Sequence, residues 1–66
     1  MKEDLLKIIE HYGVNAQQRQ FAEEVFELQE AITQYEEPRR CCSTEHIAEE
    51  ITDVMCLLFQ FSEYYN

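Results

Sequence analysis

The chain has 66 residues, 45% of them hydrophobic, and its 14 acidic and 5 basic side chains give a net charge of −9. This length allows one domain at most. A chain so short buries only roughly 60% of its unfolded surface, so its core needs support from a disulfide, a metal or a second copy. The apolar content excludes a disordered tail, and the acidity argues against nucleic-acid binding, which requires a basic face.

The cysteines and the N-terminus predict a cytoplasmic protein. The three cysteines are an odd number, and the charged N-terminus lacks the apolar segment of a signal peptide, so a disulfide framework is not expected. The longest uncharged apolar run, residues 54–59, is far shorter than the ~20 residues that a membrane span needs. We therefore expect neither export nor a membrane anchor.

The first two predicted helices cover about residues 2–12 and 16–35. The first has apolar residues at helical spacing and is followed by Gly13, the residue type that helix C-termini favour. Asn15, with Gln18 three residues later, forms a capping-box pattern for the second helix. No Gly or Pro then interrupts the chain before Pro38.

The third predicted helix covers about residues 45–65. It follows a loop at residues 38–43, and Ser43 or Thr44 can cap its first turn. Strand-like alternation is absent from the sequence. The prediction is therefore a single all-α domain over residues 1–66, an antiparallel helical hairpin plus a short N-terminal helix.

The two long helices each carry an apolar stripe with alternating spacings of four and three residues, as in buried bundle helices. The predicted core consists of Phe21, Val25, Leu28, Ile32, Tyr35, Ile47, Ile51, Val54, Leu58, Phe61 and Tyr65. The third helix is also apolar beside its stripe, at residues 55–57 and 59. A helix that is apolar on several sides must be covered on several sides, so we expect a homodimer or homotetramer to complete the bundle.

An acidic signature occurs twice, as Ala-Glu-Glu at residues 22–24 and 48–50, each followed by a β-branched residue, any residue, an acid and an aliphatic residue. At about 100° per residue, Glu24 and Glu27 lie roughly 60° and 120° to one side of their stripe. Glu50 and Asp53 have the same offsets from theirs. Antiparallel packing can therefore bring all four carboxylates to one groove, whereas Glu23 and Glu49 face solvent.

Four converging carboxylates repel each other, and a hard divalent cation removes that repulsion. Carboxylate oxygens are ligands for Mg²⁺ or Mn²⁺, and phosphates and waters often complete the shell. A di-iron bundle is disfavoured because it requires Glu-x-x-His, and His11 and His46 lie outside both signatures. Zinc is disfavoured because Cys41, Cys42 and His46 lack the usual ligand spacing.

The same acids have an alternative interpretation as a solvated helix face, which is what most charge runs are. The signature occurs twice, at the same angles from the apolar stripe of each helix, and this duplication favours the metal site. The stripes would also suit a non-catalytic oligomeric helical module with a residual carboxylate metal site, so both function classes stay open at this point.

The two acidic motifs are Glu-Glu-x-x-Glu at residues 23–27 and Glu-x-x-Asp at residues 50–53. Together they resemble the signature of the MazG-like, all-α nucleoside triphosphate pyrophosphohydrolases. Tyr12-Gly13, Gln17, Ala31-Ile32 and the residues around the second acidic copy also match, so the resemblance spans roughly residues 12–60. It implies that Glu24, Glu27, Glu50 and Asp53 bind Mg²⁺, with Glu24 also deprotonating a water. The implied reaction is hydrolysis of an NTP or dNTP to the monophosphate and pyrophosphate.

Basic residues that could bind the substrate phosphates are few. The family usually continues past its third helix into a segment with Lys or Arg that helps to hold phosphates. In this sequence Arg19, Arg39 and Arg40 are the basic candidates away from the first helix. Their alternative interpretation is as solubilising surface charges.

Overall fold

A computed structural model describes residues 2–37 and 42–66 as three helices. Helix α1 spans Lys2–Tyr12, α2 spans Val14–Glu36 and α3 spans Thr44–Tyr64. The predicted all-α class is confirmed, and strands are absent from the described residues. None of the described helices is long and apolar enough to cross a membrane.

Gly13 forms the whole connection between α1 and α2. Its φ of 88° is one that side-chain-bearing residues rarely adopt, and its N–H donates to the Ile9 carbonyl at 2.9 Å. Its own carbonyl accepts the first bond of α2, from the Gln17 N–H at 3.1 Å. The predicted cap at Asn15 is therefore wrong. Because Gly13 ends one helix and begins the next, Asn15 lies inside the first turn of α2.

The start of α3 agrees with the sequence-based expectation. Ser43 is extended, and its hydroxyl accepts a hydrogen bond from the His46 N–H at 3.1 Å. This bond satisfies one of the N–H groups that a helix start leaves without a partner. Most of the predicted loop, residues 38–41, lies outside the described residues.

Helices α2 and α3 pack antiparallel, and α1 packs mainly against α3. A buried amide pair shows the direction and register of the hairpin: Gln17 Nε2 near the start of α2 donates to Gln60 Oε1 near the end of α3 at 2.8 Å. The Phe21 and Phe61 rings meet edge to face beside it, with centroids 5.7 Å apart. The fold is elongated, with principal extents of 42 × 21 × 17 Å.

The hydrophobic core is small. Among the described residues the buried apolar side chains are Ile9, Ala31 and Leu57. The predicted core is therefore wrong for five stripe residues, which remain exposed within a single chain: Val25, Ile32, Ile51, Leu58 and Tyr65. Each long helix is rotated toward its acidic side, so that Gln17, Glu50 and Gln60 are buried instead.

Candidate metal site

Three of the four predicted ligands come together between the long helices. One carboxylate oxygen from each of Glu24, Glu27 and Glu50 lies within 4.8 Å of the other two. Glu24 and Glu27 are three residues apart on α2 and therefore share a face, and Glu50 approaches from α3. The three acids thus form a carboxylate cluster that joins the two copies of the repeated signature.

Glu50 is the most buried acid of the carboxylate cluster, with only 9% of its surface exposed. Its Oε2 atom is buried and has no hydrogen-bond partner, although buried polar atoms in proteins almost always have one. Burial raises the pKa of Glu50 above its ordinary value of 4.5, and the charges of Glu27 and Glu24 raise this pKa further. The site therefore penalises the negative charge of Glu50 when no cation is bound.

Glu24 has one satisfied and one unsatisfied oxygen. Gln20, one turn earlier on α2, donates from Nε2 to Glu24 Oε1 at 2.8 Å. Glu24 Oε2 is buried without a hydrogen-bond partner. Because Gln20 holds the carboxylate from one side, the remaining oxygen is available for a ligand.

The donor set fits a hard divalent cation. Every donor is a carboxylate oxygen, the atom type that Mg²⁺, Mn²⁺ and Ca²⁺ prefer. The two buried oxygens without partners, on Glu24 and Glu50, mark where positive charge would be stabilised. Glu27 is exposed, so the carboxylate cluster also opens toward solvent on one side.

Asp53, the fourth predicted ligand, lies outside the carboxylate cluster and is exposed. Glu50 faces α2 directly, and a shift of three residues turns Asp53 roughly 60° away from that direction. Its charge still acts on the site, because it raises the pKa of Glu50. Asp53 thus contributes to the electrostatics of the cluster without belonging to the group of carboxylates that all lie within 4.8 Å of one another.

Of the predicted phosphate-binding residues, Arg19 is the one that lies in the described part of the chain. Arg19 is exposed, and helical geometry places it about 140° around α2 from Glu24. Arg39 and Arg40 lie outside the described residues. Cys41 lies outside them as well, so the disfavoured zinc set of Cys41, Cys42 and His46 is described only in part.

His46 lies beside the carboxylate cluster, although it was not among the metal ligands predicted from the sequence. Its Nε2 lies 3.7 Å from Glu50 Oε1, one helical turn away, and half of its side chain is exposed. A protonated His46 lowers the pKa of Glu50 and so favours the carboxylate form. The four-residue spacing to Glu50 was the signal that could have identified it.

No family model, curated protein or solved structure matches this chain. The MazG-like resemblance of residues 23–27 and 50–53 therefore stays a prediction from the sequence.

Proposed function

We propose that the chain is a Mg²⁺-dependent nucleoside triphosphate pyrophosphohydrolase. The observation that carries the proposal is the convergence of Glu24, Glu27 and Glu50 from both copies of the acidic signature, with two buried oxygens left without partners. The proposed substrate is an NTP or dNTP, and the products are the monophosphate and pyrophosphate. Mn²⁺ is an alternative ion because it accepts the same oxygen ligands.

Glu27 and Glu50 would hold the ion from opposite helices, with Glu24 as a third ligand. Bound Mg²⁺ would neutralise polyphosphate charge and lower the pKa of a coordinated water. The net charge of −9 makes such neutralisation necessary, since an acidic surface repels a triphosphate. Asp53, just outside the carboxylate cluster, adds negative charge that favours cation entry.

Glu24 is the best candidate for the base that orients and deprotonates a water. Gln20 donates to Glu24 Oε1, whereas Glu24 Oε2 is buried without a hydrogen-bond partner and so could accept a proton. A base must lie within hydrogen-bond reach of the proton that it removes. In this proposal Glu50 serves mainly as a ligand, because burial disfavours its charged form unless a cation is present.

The test is a product assay. The protein is incubated with a panel of NTPs and dNTPs plus Mg²⁺, and the products are separated by ion-exchange chromatography. We expect monophosphate and pyrophosphate in equal amounts, and loss of both in Glu50→Gln. The matched control is Glu49→Gln, which removes a neighbouring exposed carboxylate outside the carboxylate cluster. Orthophosphate as the only product, or equal activity in the two variants, would exclude the proposed reaction.

A non-catalytic helical module with a structural cation is the second candidate. The position of Asp53 outside the carboxylate cluster favours it, because the ligand set is then smaller than the resemblance implies. Calorimetric titration with Mg²⁺ and with a non-hydrolysable NTP separates the two functions. Nucleotide binding that requires Mg²⁺ and disappears in Glu24→Gln supports the enzyme. Mg²⁺ binding without nucleotide binding supports the module.

A further inference from the structure

The repeated signature extends one helical turn further toward the N-terminus than its acidic residues. The alignment that relates Glu24 to Glu50 also relates Gln20 on α2 to His46 on α3. Gln20 and His46 each precede a carboxylate of the cluster by four positions, which places both members of each pair on one helix face. The repeat therefore gives Glu24 and Glu50 a nitrogen-bearing neighbour at the same relative position.

The two pairs have the same arrangement of contacts. Gln20 Nε2 donates to Glu24 Oε1 at 2.8 Å, and His46 Nε2 lies 3.7 Å from Glu50 Oε1. In both glutamates the second oxygen, Oε2, is buried without a hydrogen-bond partner. One oxygen of each carboxylate thus faces a nitrogen on its own helix, and the other oxygen remains for a ligand.

A contact to one carboxylate oxygen determines the direction of the other. The last side-chain torsion of a glutamate has only a broad preference, so an uncontacted carboxylate rotates easily. For Glu50 this direction is decisive, because only 9% of the residue is exposed and its Oε2 cannot turn toward water. Side chains that contact a metal ligand without touching the metal orient that ligand and raise metal affinity.

We propose that His46 is a positioning residue of the metal site and the counterpart on α3 of Gln20 on α2. Together these two side chains turn the free oxygens of Glu50 and Glu24 toward one divalent cation. The inference rests on the metal site of the proposed function and adds two residues that are not ligands. The backbone of His46 is itself held in place, since its N–H donates to Ser43 Oγ at 3.1 Å.

The contacts favour a positioning role for His46 over direct binding of the ion. One carboxylate oxygen from each of Glu24, Glu27 and Glu50 belongs to a group of atoms that all lie within 4.8 Å of one another, and His46 is outside that group. Its imidazole instead faces Glu50 Oε1, whereas Glu50 Oε2 is the oxygen without a partner. Gln20 has the same relation to Glu24, and an amide nitrogen does not bind a hard cation.

The test measures binding of Mn²⁺ alone and of Mg²⁺ alone by calorimetry, without nucleotide, for the wild type and four variants. His46→Met and Gln20→Met remove the nitrogen that faces each carboxylate. His46→Gln is the rescue variant, because Gln20 shows that an amide four residues earlier reaches the carboxylate. His11→Met is the matched control, since His11 is an exposed histidine on α1.

We expect His46→Met and Gln20→Met each to weaken ion binding roughly 10–100-fold, the usual effect of removing such a partner of a metal ligand. His46→Gln and His11→Met should bind the ions as the wild type does. The three substituted side chains are exposed, so circular dichroism in metal-free buffer should show the same helix content and thermal midpoint in all five proteins. A loss of affinity without a loss of stability is not expected from a merely structural residue.

Pulsed electron paramagnetic resonance of the Mn²⁺-loaded wild type is a second measurement that needs no variant. A positioning His46 leaves the Mn²⁺ without a directly bound nitrogen, and a nitrogen coupling that disappears in His46→Gln would make His46 a ligand and overturn the proposal. Equal affinities of His46→Met and the wild type would also overturn it, as would equal losses in His46→Met and His46→Gln. These outcomes leave the metal site intact, whereas a wild type that binds neither ion would overturn the site and the positioning role together.

Discussion

The buried amide pair Gln17–Gln60 offers a quantitative test of what fixes the register of the hairpin. Gln17 and Gln60 are only 9% and 3% exposed, and Gln17 Nε2 donates to Gln60 Oε1 at 2.8 Å. Gln60 Nε2 has only a weak further contact, to Cys56 Sγ at 3.7 Å. Replacing Gln17 with Met keeps the length of the side chain but removes the hydrogen-bond donor. Gln60 Oε1 then stays buried without the hydrogen bond from Gln17.

We expect Gln17→Met to lower the free energy of unfolding by about 1–3 kcal/mol, the cost of leaving a buried polar group unsatisfied. For a domain of this size that corresponds to a fall of roughly 4–24 °C in the thermal midpoint. Gln60→Met should cost a similar amount. The double variant should recover much of the loss, because replacing both polar partners with apolar groups is nearly neutral.

The assay is a double-mutant cycle by thermal or urea denaturation followed by circular dichroism, with all four proteins at one concentration. The reasoning is refuted if the single variants are as stable as the wild type, or if the loss in the double variant equals the sum of the two. A coupled result would show that the pair helps to set the register that places Glu50 opposite Glu24 and Glu27.

Three further predictions concern single positions. In metal-free buffer, Glu50→Gln should be more stable than the wild type at pH 7. Because the folded-state pKa of Glu50 is raised, the wild type gains stability as pH falls through that pKa toward 4.5, so thermal denaturation should show the difference closing with acidification. Ser43→Ala removes the oxygen that accepts a hydrogen bond from the His46 N–H, so it should lower the free energy of unfolding by about 0.5–2 kcal/mol in urea denaturation. Thr44→Ala leaves this hydrogen bond intact and should lower the free energy of unfolding less. Gly13→Ala should cost about 1–2 kcal/mol at the φ of 88°, although a Cβ there would meet no atom within 4 Å. A smaller loss in Gly13→Asn would support that backbone origin, because Asn tolerates this conformation better, and an unchanged midpoint in Gly13→Ala would contradict it.

Much of the secondary structure followed from short-range signals. The spacing of apolar residues, the glycine at position 13 and the cap at Ser43 predicted three helices, which the structure confirms within two residues of the expected ends. The error at Asn15 has a local cause. One glycine with positive φ both ends α1 and begins α2, and a capping-box pattern two residues later could not reveal that.

The carboxylate cluster was predictable in outline because the acidic signature occurs twice, each time at the same angles from the apolar stripe of its helix. Glu24, Glu27 and Glu50 do meet, and Asp53 remains outside their cluster. The interaction of His46 with Glu50 and the Gln20 bond to Glu24 follow helical spacing, so they were within reach of sequence reasoning. The Gln17–Gln60 pair joins residues 43 positions apart, and helical periodicity contains no information about such a contact.

The sequence by itself determined the helices and the angle of each side chain around its own helix axis. Only the tertiary structure decided how far each helix is rotated relative to its neighbour. That rotation depends on the packing of α1, α2 and α3 together, and it turns Glu50 inward while Ile51 and Leu58 stay exposed. The same rotation lets Glu50 join Glu24 and Glu27 in the carboxylate cluster.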